Sequence, residues 1–310
     1  MPPARSAKAA AAAASAARGR GPARKAPAKS GRKNPMSIDE KPVEIVIEDI
    51  QTANPSVNMI INGELGVGKT VLCGGLSALA NARVVFCSTE QEGIVSAKRA
   101  GSTAQLIRAP TWEHAVSGLE WGIKHLGPRD WMIFDSGTRM HYLYMLWIME
   151  KVKAVNPERD IDIPGLDNHQ KVQNGFVRWY DKIIAAQFNS VMITSPTTME
   201  HANGEEKVIP QFFDSKGKVS RHVSAQASVI LYYDVQRDEE LGSVIRRVYA
   251  QPWPPYLAKD RYSALGPGQR IEEGDFFAMA GMVEKIYKAR EEIIGERRPR
   301  TARRPRRPGR

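Results

Sequence analysis

Short apolar runs alternate with segments of helical periodicity from residue 57 onward. The run VNMIIN (57–62) predicts a buried strand, and after a glycine-rich turn the segment 69–82 carries apolar residues at the spacing of a helix. The same reading gives further buried strands at 83–88, 104–109, 130–136 and 190–195, and helices at 111–126 and at roughly 168–188.

The C-terminal part of the chain has a different pattern. Two apolar runs, 228–234 and 243–251, follow each other closely and are expected to pair as a hairpin, and 275–294 predicts a closing helix. Short hydrophobic strands that alternate with helices are typical of a mostly parallel sheet with helices on both faces. The predicted fold class is therefore α/β, with a C-terminal hairpin added to the sheet.

Composition separates this predicted domain, 36–294, from the two ends of the chain. Residues 1–35 contain nine Lys or Arg and no acid, and residues 295–310 contain eight Arg and one Glu. The formal net charge is +11, of which the two ends carry +16, so residues 36–294 carry −5. The high pI therefore does not imply a basic surface on the domain itself.

Both ends lack the branched and aromatic residues that could offset the entropy of ordering, so we expect them to be disordered. Three interpretations of the basic ends are open: binding to a polyanion through counterion release, a solubilising role, or an organelle transit peptide at the N-terminus. The second basic end disfavours the transit peptide.

The lengths of the apolar stretches and the two cysteines bear on where in the cell the protein is located. No apolar stretch reaches about 18 residues, so no membrane span and no membrane partner are expected. Cys73 and Cys87 lie in apolar surroundings and match no metal-binding spacing, so we expect reduced core cysteines and a cytoplasmic protein.

The segment 63–70 matches the phosphate-binding pattern GxxxxGK[ST], with a predicted strand before it and a helix after it. In such a loop the backbone N–H groups surround the phosphates, Lys69 reaches the β- and γ-phosphates, and the Thr70 hydroxyl binds Mg²⁺. The sequence thus predicts ATP and Mg²⁺ as cofactors, against the alternative of a glycine-rich turn with a surface lysine. The residues expected to contact the nucleotide are Gly63, Glu64, Leu65, Gly66, Val67, Gly68, Lys69, Thr70 and Val71.

Two acidic residues complete the predicted catalytic set with Lys69. Asp135 follows four apolar residues, so it is expected at the carboxyl end of a strand, where it could hold Mg²⁺ through the metal's water shell. Glu90 follows a strand that we expect beside the P-loop strand, where a carboxylate can activate the attacking water. Glu92 is the competing candidate for that role, and a turn residue or an exposed loop acid is the alternative interpretation of either site.

The order of these motifs resembles that of the RecA, RadA and KaiC group of P-loop ATPases. The shared features are the P-loop, a strand that ends in STE (88–90), and an aspartate-terminated strand followed by serine. The resemblance implies that Glu90 is the catalytic glutamate. It also implies that 190–195 is the sensor strand, which would place Thr194 or Ser195 near the γ-phosphate.

The segment LAKDRYSALG (257–266) resembles the KNRFG-type motif of RadA-like proteins, with Asp260 in place of Asn and Tyr262 in place of Phe. In that family the basic residues reach the nucleotide of a neighbouring subunit. The resemblance therefore implies that Lys259 and Arg261 act in trans, and the alternative is an exposed loop with two cations.

The segment 196–226 corresponds, in RecA-like proteins, to a DNA-binding loop. Aromatic rings there can stack on unpaired bases while cations meet phosphates. The alternative is that the phenylalanines are buried and the cations are solvated. The candidate DNA-binding residues are Phe212, Phe213, Lys216, Lys218 and Arg221.

Size and motif order most resemble the compact RecA-like ATPases of bacteriophages that assist single-strand annealing and recombination. This resemblance implies a Mg²⁺-dependent, DNA-stimulated ATPase in the cytoplasm of a bacterial host, which forms a homo-oligomeric ring or filament on single-stranded DNA. A single-strand-binding or annealing protein is a candidate partner. The alternatives are a small-molecule P-loop kinase and a DNA-binding or packaging protein that binds ATP without hydrolysing it.

Overall fold

The structure is a computed structural model that describes residues 56–90, 92–200, 204–214, 217–237, 244–271 and 276–295. All of them belong to one unit of the chain, Glu48–Arg310. The two basic ends predicted from composition lie outside the described residues, apart from Gly295.

A nine-stranded sheet forms the centre of the described part of the chain. Its strands are β1 (Asn58–Asn62), β2 (Val84–Ser88), β3 (Gln105–Arg108), β4 (Trp131–Asp135), β5 (Asn189–Thr194), β8 (Val229–Arg237), β9 (Val244–Tyr249), β10 (Lys259–Asp260) and β11 (Gln269–Ile271), with β6 (Pro196–Glu200) and β7 (Glu206–Pro210) in a separate two-stranded sheet.

The order of strands in the large sheet is β11-β9-β8-β1-β5-β4-β2-β3, and β10 pairs with β8. The six strands from β8 to β3 in this order are parallel, and β9, β10 and β11 pair antiparallel. The predicted mostly parallel sheet and the hairpin of β8 with β9 are confirmed.

Helices cover both faces of the sheet, as the alternation of strands and helices predicted. Met59 and Ile61 of β1 pack into one buried cluster with the first and last helices, whereas Ile60 packs into a second cluster on the opposite face. None of the described helices combines the length and the apolar character needed to cross a membrane. The helices are α1 (Lys69–Gly74), α2 (Glu92–Arg99), α3 (Trp112–His125), α4 (Gly137–Val155), α5 (Leu166–Ile184), α6 (Lys218–Gln226) and α7 (Ala278–Gly295).

The helix predicted over 69–82 is shorter in the structure. Helix α1 ends at Gly74, and a single 3₁₀ segment, Gly75–Ala78, follows it. Two consecutive glycines weaken a helix, because each loses more backbone entropy than alanine. The backbone also has to pass close to the carbonyl oxygen of Phe276, with which a Cβ at Gly75 would collide.

The expectation that β2 lies beside the P-loop strand β1 was wrong. Strands β5 and β4 lie between them, because β1 pairs with β5, β5 with β4, and β4 with β2. The residues that follow β2 therefore reach the P-loop across the end of β4. Ser88, the last residue of β2, is in register with Asp135 at the end of β4.

Candidate nucleotide-binding site

The loop between β1 and α1 has the backbone of a phosphate cradle. Gly66 and Gly68 have φ angles of 78° and 98°, in the left-handed region that favours glycine. Gly63 is needed for another reason, because a Cβ there would collide with the carbonyl oxygen of Tyr233 on the neighbouring strand β8. The three glycines of the motif thus serve the curvature of the loop and its close packing on the sheet.

Lys69 lies folded over this loop. Its Nζ donates to the carbonyl oxygens of Gly63 at 2.5 Å and Glu64 at 2.7 Å. Burial lowers the pKa of Lys69, and the nearby Asp135 and Glu90 oppose that effect. The ammonium is therefore held by neutral carbonyls, and a phosphate oxygen would be a stronger acceptor at the same place.

Thr70 and Asp135 meet directly below the loop. The Thr70 hydroxyl donates to a carboxylate oxygen of Asp135 at 2.8 Å, and Asp135 is 2 % exposed. Burial raises the pKa of Asp135 to about 6; the Thr70 hydroxyl lowers it, Glu90 raises it and Lys69 lowers it. A hydroxyl and a carboxylate are oxygen ligands that suit Mg²⁺, so this pair fits the predicted metal.

Thr70 and Asp135 alone supply too few ligands to hold a metal ion. Among the described residues, no group of three or more His, Cys, Asp or Glu side chains is placed to bind a metal ion. Mg²⁺ keeps several waters and is usually shared with substrate phosphates. The site thus suits Mg²⁺ that arrives with a nucleotide better than a metal bound by protein alone.

Glu90 lies beyond the end of β2 at the same edge of the sheet. Its backbone N–H donates to the hydroxyl of Ser88 at 3.1 Å, and that hydroxyl donates to the carbonyl of Glu90 at 2.8 Å. Thr89 ties the segment to β4, because its N–H donates to the carbonyl of Asp135 at 2.7 Å. The side chain of Glu90 is exposed, and its charge acts on both Lys69 and Asp135.

Glu92, the competing acid, begins helix α2 and lies in its first turn. It is not among the groups that shift the pKa of Lys69 or Asp135. The start of α2 packs against the site, since a Cβ at Gly93 would lie 3.0 Å from the Thr70 hydroxyl. Of the two acids, Glu90 is therefore the one whose charge acts on Lys69 and Asp135, and the choice between them as catalytic residue stays a prediction.

The predicted sensor residues lie at the end of β5, between the P-loop strand and β4. Thr194 is fully buried, and its hydroxyl donates to the side-chain oxygen of Asn62 at 3.2 Å. The N–H of Ser195 donates to the hydroxyl of Thr138 at 3.0 Å. Contact of either sensor residue with the γ-phosphate stays a prediction.

Asn62 was missed by the sequence analysis. It ends β1 in register with Thr194, and its Nδ2 is buried with no hydrogen-bond partner among the described residues. A polar residue that closes an otherwise apolar run directly before the P-loop was the signal that could have revealed it.

Lys259 and Arg261, the predicted trans-acting cations, contact the end of helix α6 in their own chain. Lys259 Nζ donates to the carbonyl of Ser224 at 2.7 Å, and Arg261 Nη2 donates to that of Ala225 at 2.7 Å. Burial lowers the pKa of Lys259 to about 8, and Arg261 adds to that effect. Cations suit the unpaired carbonyls of a helix C-terminus. Their action on a neighbouring subunit stays a prediction.

The segment 196–226 is not the single loop that the sequence analysis expected, because it contains β6, β7 and α6. The structure contradicts the DNA-binding role of Phe212, which is 4 % exposed and packs against His141 and Phe176 in the core. A ring enclosed in this way cannot stack on a base without unfolding its surroundings.

The other candidate DNA-binding residues differ in their surroundings. Phe213 is 46 % exposed, with its ring centroid 5.4 Å from that of Tyr142. Lys218 Nζ donates to the side-chain oxygen of Asn174 on α5 at 2.8 Å, and Arg221 is exposed on α6. Lys216 lies outside the described residues.

The fold and the site together define a P-loop nucleotide-binding protein. The sequence model of the AAA domain family matches residues 56–262, which are most of the chain, and the chain belongs to this family of P-loop ATPases. No curated protein matches the sequence.

Proposed function

We propose that the protein hydrolyses ATP with Mg²⁺ as its metal. The observation that carries this proposal is the contact of Thr70 with Asp135 at 2.8 Å, at the sheet edge where Glu90 influences the pKa of Asp135. Thr70 and Asp135 would hold the metal, which supplies positive charge to the phosphoryl group during transfer.

The chain's own residues account for the remaining steps. Lys69 exchanges its carbonyl partners for phosphate oxygens and stabilises the charge that develops in the transition state. Glu90 orients a water for in-line attack and accepts its proton, since its exposed side chain follows β2 at the sheet edge where Asp135 lies. Asp135 would hold the metal as a carboxylate, and a bound cation would favour that ionised form against the effect of burial.

We further propose that this activity serves single-stranded DNA, in recombination, annealing or replication, and that the protein acts as a RecA-like homo-oligomer. The order of the motifs supports the assignment: the P-loop after β1, Glu90 after β2, and Asp135 at the end of β4. The two basic ends of the chain supply +16 for a polyanion. In the oligomer, Lys259 and Arg261 would exchange the carbonyls of α6 for the nucleotide of a neighbour.

The test is ATP turnover by the full-length protein with Mg²⁺, measured with and without a single-stranded oligonucleotide. We expect turnover that rises when DNA is added and that Lys69→Ala abolishes, with the variant still folded. No hydrolysis by the folded wild type would overturn the enzymatic proposal and favour ATP as a structural ligand. Turnover that responds to a nucleoside or sugar and not to DNA would favour the kinase.

A further inference from the structure

Helices α4 and α5 run antiparallel and leave an open groove between them. Tyr144 of α4 meets Gly175 of α5, where the Tyr144 hydroxyl occupies the space that a Cβ at Gly175 would need. At the other end of the pair, Asn156 and Asn168 line the same cavity. Two cavities of about 540 and 490 Å³ share Ile148, Asp167 and Lys171 in their linings, so they form one continuous groove.

The floor of this groove is an apolar stripe along α4. Tyr144, Ile148, Val152 and Val155 follow each other at helical spacing and line the two cavities. Val155 is 88 % exposed, and Leu166, at the start of α5, is 84 % exposed. Val155 lines the groove and Leu166 precedes Asp167, which lines it, so exposed apolar groups lie in and beside the groove, as on surfaces that bind a partner.

The charged groups that line the groove are mostly cations. Lys151, Arg159, Lys171 and Arg178 line it, against one acid, Asp167, which pairs with Lys171 at 3.4 Å. Two further groups modify this balance: Glu113 lies near Lys151, and Lys218 of α6 donates to Asn174 in the groove wall. This excess of positive charge belongs to the groove and not to the domain as a whole, since residues 36–294 together carry a formal charge of −5.

We infer that this groove, between α4 and α5, binds a stretch of single-stranded DNA, an inference that rests on the proposed function. The cations follow the groove and do not surround a single point: Lys171 and Arg178 alone lie about 10 Å apart along α5. A row of cations beside aliphatic side chains matches a strand whose phosphates alternate with apolar base faces, and the ring of Tyr144, stacked on that of Trp112 at 4.3 Å, closes one end of the apolar stripe. An acidic peptide is the competing occupant.

Lys218, one of the residues predicted from the sequence to bind DNA, also lies beside this groove. Lys218 reaches it through Asn174, whereas Phe212 is in the core. The inferred groove therefore places the principal DNA contact at α4 and α5, with Lys218 of the 196–226 segment beside it.

The experiment measures binding of full-length protein to fluorescent oligo(dT) by anisotropy over a range of salt concentrations. The groove pair K171Q/R178Q is compared with the control pair K153Q/K182Q, which also removes two exposed cations from α4 and α5, outside the groove lining. The ends of the chain are the same in all three proteins. We expect the log–log salt slope to fall by about 1.4 in the groove pair, at about 0.7 for each lost contact, and to stay unchanged in the control.

The other possible results distinguish a failure of the groove from a failure of the proposed function. Equal slopes in the two pairs, with DNA binding retained by the wild type, overturn the groove and leave the proposed function standing. No DNA binding by the wild type overturns both. Binding of fluorescent poly-glutamate that the groove pair weakens and the control pair does not, with oligo(dT) binding equal in the two pairs, overturns the groove's DNA assignment and identifies an acidic peptide site. If the groove pair melts early, K171Q and R178Q are tested singly, each with an expected fall of about 0.7.

Discussion

The hydroxyl of Thr70 donates a hydrogen bond of 2.8 Å to the carboxylate of Asp135, 65 residues later in the chain. The two residues reach each other although β5 lies between the strands that precede them. Because parallel strands end at one edge of the sheet, the start of α1 and the end of β4 meet there. The contact joins the two protein groups that would share a metal ion.

Replacing Glu90 tests the assignment of the catalytic acid. We expect Glu90→Gln to bind ATP and to turn it over at least about a hundredfold more slowly, because the amide cannot accept a proton from water. Glu92→Gln, the same substitution two residues later in the first turn of α2, is the matched control and should retain most of the activity. Steady-state turnover together with fluorescent nucleotide binding separates catalysis from affinity. The reverse pattern would assign the role to Glu92.

The buried carboxylate of Asp135 predicts a pH-dependent stability in the absence of nucleotide and Mg²⁺. Its pKa is about 6 in the folded protein against 3.8 as the ordinary value, so the folded state binds the proton more tightly and loses stability as the pH rises from about 4 to 6. Asp135→Asn removes this cost, which is up to about 3 kcal/mol, and should melt higher than the wild type at pH 8.

The comparison of wild type with Asp135→Asn is made by thermal melting in EDTA at several pH values. The difference in melting temperature should narrow as the pH falls from 7 towards 4. The stabilised variant should also lose ATP turnover, because it no longer offers a charged ligand to the metal. A difference that does not change with pH would show that the carboxylate is not the titrating group.

Phe212 and Phe213 are neighbours with opposite surroundings, which gives a matched pair for stability. Phe212→Ala leaves a cavity among buried rings and should cost about 3 to 5 kcal/mol of unfolding free energy. Phe213→Ala removes a half-exposed ring and should cost about 1 kcal/mol or less. Urea denaturation measures both values. Similar losses for the two variants would contradict the burial of Phe212.

The two phenylalanines also show what sequence could not decide. Their types and neighbours in the chain are nearly the same, and both lie near His141, but Phe212 also packs against Phe176 and is buried, whereas Phe213 is half-exposed. Lys259 and Arg261 are a similar case, because their acceptors lie 35 and 36 residues earlier in the chain. Contacts of this kind follow from tertiary packing and have no local pattern.

The P-loop and the strands were predictable because their signals are local. Gly63, Lys69 and Thr70 lie within one short motif, and each central strand is an apolar run that is buried on both faces. The order of the strands was not predictable, because a local signal carries no information about which strands pair. Runs such as β1, β2, β4 and β5 are alike in composition, so nothing in a single run identifies its neighbour, and β2 was placed wrongly.

The last prediction concerns the two ends of the chain, whose charge is known from the sequence alone. Removal of 1–35 and 296–310 takes away all of the +16 carried by the two ends and leaves helix α7 intact to Gly295. If the ends supply non-specific affinity, the truncated protein should bind single-stranded DNA more weakly, with a flatter salt dependence. Five lost phosphate contacts would reduce the log–log slope by about 3.5.

The same truncation separates affinity from coupling to ATP. DNA-stimulated turnover should survive at low salt, because the nucleotide site and the groove between α4 and α5 remain in the truncated chain. An unchanged salt slope would show that the ends do not contact DNA. If stimulation disappears even at low salt while basal turnover persists, the ends themselves carry the DNA response and the folded domain does not.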